Sequence, residues 1–260
     1  VLEHEKGNYD HIVFGGDIID SHDAPPAVSG ARETARWYAR LIESPNTTVL
    51  MGNHDLPQFE SHSHSRAHRH KRPLFNACSG FTHSKAIEFA KEMTHDLWRK
   101  VRLFCVANGW LLSHAGIQEN SWQNHLAAET NLDRLWNEAD EALEAAPFKP
   151  HRLFACGYNR GGDANYGGPL WLDWDTEFED VLPYPQIVGH THKLNAHRRI
   201  GRSWCIDSGT GYVIIAPDGT VEHKRLWRAR DWNKDDGYVW ISGIPTIRDD
   251  TEHAFQRKRN

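Results

Sequence analysis

Thr47-Thr48-Val49-Leu50-Met51 runs straight into Gly52-Asn53-His54-Asp55. A short β-prone apolar run ending in a polar cluster reads as a buried strand that delivers side chains from its carboxyl end. The pattern recurs along the chain. His11-Ile12-Val13-Phe14 precedes Gly16-Asp17, Gly109-Trp110-Leu111-Leu112 precedes Ser113-His114-Ala115-Gly116, and Gln186-Ile187-Val188 precedes Gly189-His190-Thr191-His192. In open α/β sheets, ligands gather beyond the carboxyl ends of the strands. Asp17, Asn53, His114, His190 and His192 are therefore expected to converge. Mixed oxygen and imidazole donors suit a transition-metal ion.

Working outward, Ala35, Tyr38, Ala39 and Ile42 are spaced as one helical face and predict a helix over 31–44. Ala86, Phe89, Ala90, Met93 and Leu97 predict another over 83–100. The charged segment 123–146 reads as helix, ended by Pro147 and Pro150. Strands are expected over 101–106, 110–113, 203–206, 211–216 and 221–227. Asn108-Gly109 marks a hairpin and Pro217-Asp218-Gly219 a turn. Strands alternating with helices, then a run of strands, suggest a layered α/β sandwich.

At 260 residues the chain fits one domain, 1–260. No apolar stretch is long enough to span a bilayer, and no secretory signal is visible. The formal charge of −5 argues against a dedicated nucleic-acid binder. Cys78, Cys105, Cys156 and Cys205 form no Cys-x-x-Cys pair, so a reduced, cytoplasmic protein is expected. Segment 60–73 is polar and rich in His, Ser and Arg, and reads as an exposed loop. Its His62, His64, His68 and His70 offer adventitious zinc or nickel binding. Its Arg66, Arg69, Lys71 and Arg72 would attract anionic substrate. The tail after 228 is charged and aromatic. Val1-Leu2-Glu3-His4-Glu5-Lys6 followed by Gly7-Asn8 reads as the end of a helix, so a first strand is expected upstream of Val1.

Asp17 is suited to bridge two cations, with a neutral oxygen from Asn53 and imidazole nitrogens from His114, His190 and His192. Paired divalent ions about 3.5–4 Å apart activate water and stabilise both oxygens of an in-line phosphoryl displacement. A histidine held by a carboxylate, such as His54 with Asp55, can protonate a leaving oxygen.

Gly16-Asp17-Ile18-Ile19-Asp20, Gly52-Asn53-His54-Asp55, Ser113-His114-Ala115-Gly116 and Gly189-His190-Thr191-His192 together resemble the calcineurin-like metallophosphoesterase superfamily, over roughly 11–227. The resemblance implies a two-sheet β-sandwich flanked by helices. It implies that Asp17 bridges two divalent metals, manganese first, with iron or zinc as alternatives. Asn53, His114 and His190 would complete one metal position and His192 would serve the other. His54 would be the proton donor, with Asp55 as its partner. Arg160-Gly161-Gly162 with Gly167-Gly168-Pro169-Leu170-Trp171, and Cys205-Ile206-Asp207-Ser208-Gly209, resemble segments of bacterial and phage-type phosphoprotein phosphatases. There an arginine contacts the substrate phosphate, which makes Arg160 the substrate-binding candidate. The family's opening Asp-x-His is absent and is expected upstream of Val1. Ser21-His22 and Met51 stand where protein phosphatases carry arginines, and His192 where many have proline.

The implied function is metal-dependent phosphoester hydrolysis, as a phosphomonoesterase or a serine/threonine protein phosphatase-like enzyme, by a metal-bound hydroxide attacking phosphorus in line. The substrate would be a phosphorylated protein, nucleotide or small molecule, with no membrane partner. One alternative is a nucleotide or dinucleoside polyphosphate hydrolase, with Trp171, Trp174 and Tyr166 stacking a base. Another is a non-catalytic phosphate-binding protein or truncated inactive fragment, motivated by the absent first motif.

Overall fold

Ile12–Phe14 (β1) lies parallel to Thr47–Val49 (β2), with Phe14 opposite Val49. A parallel pair needs a crossover, and Val28–Glu43 (α1) supplies it. Ala31, Ala35, Tyr38, Leu41 and Ile42 are buried along one stripe of that helix, as their spacing of three and four requires. The computed structural model describes residues 9–19, 28–64, 78–119, 131–146, 149–194, 196–209, 211–225, 240–241 and 244–245.

Leu50 extends β2 through a bridge to Arg102, where Met51 N donates to Arg102 O at 2.8 Å. Phe104–Ala107 (β3) and Trp110–Ser113 (β4) then form an antiparallel hairpin. Its turn is Asn108-Gly109, with φ of 48° and 82°, the left-handed pair expected of a tight hairpin. β4 pairs in parallel with Gln186–Val188 (β5). Arg198–Ile200 (β6) and Ser203–Cys205 (β7) complete a five-stranded mixed sheet of order β3-β4-β5-β7-β6. Gly211–Ile215 (β8) and Val221–Arg225 (β9) form a separate hairpin, and Trp240–Ile241 (β10) pairs with Ile244–Pro245 (β11).

Val13, Leu50, Leu112 and Ile187 share one apolar cluster with Val213, Ile215 and Val221 of the β8–β9 hairpin. Helices cover the strands elsewhere. Tyr38, Phe59 and Phe89 converge on the fully buried Trp98, with ring centroids 5.7, 5.3 and 6.0 Å from it. These rings come from α1, Leu56–His64 (α2), His83–Phe89 (α3) and His95–Trp98 (α4). Asn131–Ala145 (α5) adds buried Leu135, Ala139, Ala142 and Leu143 to the same core. The fold is the expected α/β arrangement of sheets flanked by helices. No helix among the described residues is long and apolar enough to cross a membrane.

Three local expectations change. The helix over 83–100 is two short helices, because Thr94 Oγ1 accepts from Leu97 N at 3.3 Å and starts a new one. Apolar spacing does not register such a cap, which competes with helix continuation. Residues 60–64 are helical, not loop. Pro57 lies in the first turn of α2, where a missing N–H is harmless. Residues 65–77 of the His-rich segment lie outside the described residues. So do 1–8, Ser21-His22, 123–130 of the charged helix and most of the tail after 228. β6 was not foreseen, since Arg198-Arg199 at a sheet edge carries little apolar signal. Just before it, His197 Nδ1 lies 2.7 Å from His223 Nδ1 of β9, and the His223 ring packs on Trp204 of β7 at 4.2 Å.

Candidate metal centre

The turns after β1 and β2 touch backbone to backbone. A Cβ on Gly52 would meet Asp17 N at 2.3 Å, and one on Gly16 would meet Gly52 N at 2.5 Å. Only glycine allows this approach. Asp55 joins the two turns. Its Oδ2 accepts from Gly52 N at 2.8 Å and Asp17 N at 2.9 Å, and its Oδ1 from Ile18 N at 3.2 Å. These bonds hold Asp17 at φ 56°, a left-handed conformation uncommon outside glycine. The Asp55 oxygens thus accept from three backbone amides. Burial and the Asp17 carboxylate push the Asp55 pKa up to about 7.

Asp17 Oδ1 accepts from His54 N at 2.9 Å, and its Oδ2 lies 3.3 Å from His114 Nε2. His114 follows β4 and is buried. Its Nδ1 donates to Gly15 O at 2.6 Å. That bond fixes the tautomer and aims Nε2 inward, as a second-shell carbonyl does for a ligating histidine. Around Nε2 stand Asn53 Oδ1 at 3.0 Å, His190 Nδ1 at 3.2 Å and Asp17 Oδ2. His190 is placed by the turn after β5, at φ 64°, where Gly189 N donates to His114 O at 2.7 Å. The ligand atoms of Asp17, His114 and His190 all lie within 4.8 Å of one another.

The donor set favours a positive charge at its centre. With Nδ1–H given to Gly15, neutral His114 turns a lone pair toward the oxygens of Asn53 and Asp17, and His190 Nδ1 faces it as donor or acceptor according to its tautomer. A proton answers this in part. Burial opposes charging His114, but the Asp17 carboxylate outweighs it and raises the imidazole to about 9. Burial likewise opposes ionisation of Asp17, yet His114, His54 and His190 hold it well below the usual carboxylate range. Burial first, then His114, keep His190 neutral, well below its ordinary pKa. A divalent cation displaces such a proton and satisfies all four donors. The residues present fit the ion.

The remaining candidates lie around this group. His54 is buried beside Asp17. His192 stands apart from the three-residue cluster, with its Nδ1 3.0 Å from Asp207 Oδ1 and its side chain 53 % exposed. Arg160 ends the 3-10 turn Tyr158–Arg160. Its Nη2 donates to Thr191 Oγ1 at 2.6 Å and pairs with Asp173 Oδ2 at 2.9 Å. This sets its guanidinium beside the histidine loop, close enough to depress His190. The glycine-rich stretch around it is tightly packed. A Cβ on Gly162 would strike Cys156 O at 2.0 Å, and one on Gly167 Trp171 O at 2.4 Å. Buried Glu177 ties the stretch together through Gly167 N, Asp173 N and Asn159 Nδ2.

Trp171 and Trp174 belong to the core, 8 % and 1 % exposed, so neither is free to stack a base. They follow a Pro-Leu run that is itself interior, which the sequence did not separate from a surface loop. Arg198 was also missed. It donates to Thr191 O and pairs with Asp175, so both Arg198 and Arg160 hold the histidine loop through Thr191. An arginine on a polar edge strand carries no sequence signal for that role.

The model of the calcineurin-like phosphoesterase family matches residues 2–194. No curated protein matches the chain. Among solved structures, the cold-active protein-tyrosine phosphatase of a psychrophile, Shewanella sp., is similar at 17% identity and a TM-score of 0.45, over 82% of this chain and 69% of that one. A second structure of cold-active protein tyrosine phosphatase, at 1.1 Å, is similar at 17% identity and a TM-score of 0.45, over 82% and 67%. With the family model matching residues 2–194 and four strand-end clusters converging, the chain belongs to the calcineurin-like phosphoesterases.

Proposed function

We propose that this protein is a metal-dependent phosphomonoesterase using two divalent ions, manganese first among them, on a phosphorylated protein or small molecule. The observation that carries the reading is the convergence of Asp17, Asn53, His114 and His190 on a point that favours positive charge. Asp17, Asn53, His114 and His190 would hold one ion, and Asp17 with His192 would serve a second. Ions held there supply Lewis-acid polarisation of the phosphoryl group and a lowered pKa for water.

The chain's own residues do the rest. Arg160 presents a planar fork to the phosphoryl oxygens, a geometry suited to bidentate contact. Asp173 and Thr191 hold that fork in place before substrate arrives. His54 carries the proton for the leaving oxygen, and its main chain is tied to Asp17. Gly15 O keeps His114 in the tautomer that ligates.

The test is hydrolysis of p-nitrophenyl phosphate by the purified protein, after chelation and after Mn2+ is restored. Turnover that vanishes with chelator and returns with Mn2+ supports the reading. Mn2+ binding with no turnover on any phosphoester would favour a phosphate-binding protein instead. A panel of phosphopeptides against nucleotides then separates the substrate classes.

A further inference from the structure

An asparagine ligand poses a problem that an aspartate does not. The oxygen and the NH2 of its carboxamide are nearly equal in size, so packing alone does not decide which faces a cation. Hydrogen bonds must decide it. In this fold Asn53 Oδ1 faces His114 Nε2 at 3.0 Å, and Nδ2 points the other way, to Cys78 Sγ at 3.5 Å. The same sulfur donates its proton to Asn53 O at 2.9 Å. The thiol proton is thus committed to the main chain of Asn53, and the sulfur lone pairs are left for the side-chain NH2. A flipped carboxamide would set its oxygen against those lone pairs and its NH2 toward the cation. Both contacts would be lost at once. Asn53 and Cys78 are 3 % and 7 % exposed, so water does not readily replace either bond.

We infer that Cys78 is a positioning residue that locks the Asn53 carboxamide with its oxygen toward the metal. This rests on the metal site proposed above. Cys78 itself does not touch the ion. The contact joins residues 25 apart in the chain, which is why no motif reveals it. A thiol is a weak donor and acceptor, so the effect belongs at the low end of what outer-shell partners contribute. Losing it should weaken metal binding by about tenfold.

The experiment measures the Kd for Mn2+ alone, by the electron paramagnetic resonance signal of the free ion. It compares the wild-type protein with Cys78→Ala, Cys78→Val, Cys78→Ser and Asp17→Asn. Cys78→Ala and Cys78→Val should each raise the Kd about tenfold, while Cys78→Ser, whose hydroxyl donates and accepts in the same place, should stay within about twofold. In an Asn53→Asp background, Cys78→Ala should have no further effect, since a carboxylate has no wrong orientation. Should the alanine variant fold poorly, the valine and serine variants carry the comparison at similar volume. Unchanged affinity in Cys78→Ala and Cys78→Val, with affinity lost in Asp17→Asn, would overturn the positioning role and leave the metal site standing. Absence of Mn2+ binding by the wild-type protein would overturn both.

Discussion

Asp55 is completely buried, yet its carboxylate is spent on the backbone of two neighbouring turns, through Gly52, Asp17 and Ile18. It shapes the site by fixing where Asp17 stands. Replacing it with alanine strips three backbone amides, two of them buried, of their acceptor, and urea denaturation should show a loss of roughly 3 kcal/mol or more. A loss of only a few tenths would mean the two turns hold together without it. The side chains that converge on the centre were legible because each ends a short apolar strand, so Asp17, Asn53, His114 and His190 could be named from the sequence alone. Their supports were not. Gly15 O, the Asp55 amides, Arg198 and Cys78 act through contacts between distant segments, and main-chain partners leave no trace in residue type. Arg160 was legible as a candidate, but its Asp173 and Thr191 partners were not.

At the scale of elements, strand ends were read more securely than helix lengths. Residues 83–100 kept their apolar stripe while the chain broke at Thr94, because a cap is a matter of one hydroxyl and not of periodicity. The β8–β9 hairpin offers an element-scale prediction. It is tied to the segment before β6 by His197 and His223, whose Nδ1 atoms are 2.7 Å apart. Burial, then His223 and Arg225, depress His197, and burial depresses His223. The folded protein therefore keeps both rings neutral where the unfolded chain would protonate them. Their contribution is complete above the ordinary histidine value of 6.5 and is lost as pH falls below it toward the depressed values. The fall in Tm between about pH 7 and about pH 5 should be smaller in His223→Phe than in the wild-type protein. An equal fall in both would remove this pair from the acid response.

At the scale of the whole molecule, the site lies where the β1–β2 pair meets the carboxyl ends of β4 and β5. An ion held there links these parts, so loading it should stabilise the fold as well as the site. At about 100 times its Kd, a ligand adds about 2.7 kcal/mol, which for a chain of this size is a rise in Tm of roughly 5–10 °C. Thermal unfolding with saturating Mn2+ against chelator should show that rise, and coincident curves would argue that no ion binds the folded state. The α/β class was legible from alternating strands and helices, whereas the division into a five-stranded sheet and separate hairpins was not, because pairing partners such as β5 with β7 are set by tertiary contact. On the function proposed above, Asp17 and the residues around it would hold a divalent ion that drives phosphoester hydrolysis. The most direct test is Mn2+-dependent turnover of p-nitrophenyl phosphate by Asp17→Asn beside the wild-type protein. Turnover should fall to background in the variant while the fold persists, and undiminished turnover would contradict the role given to Asp17.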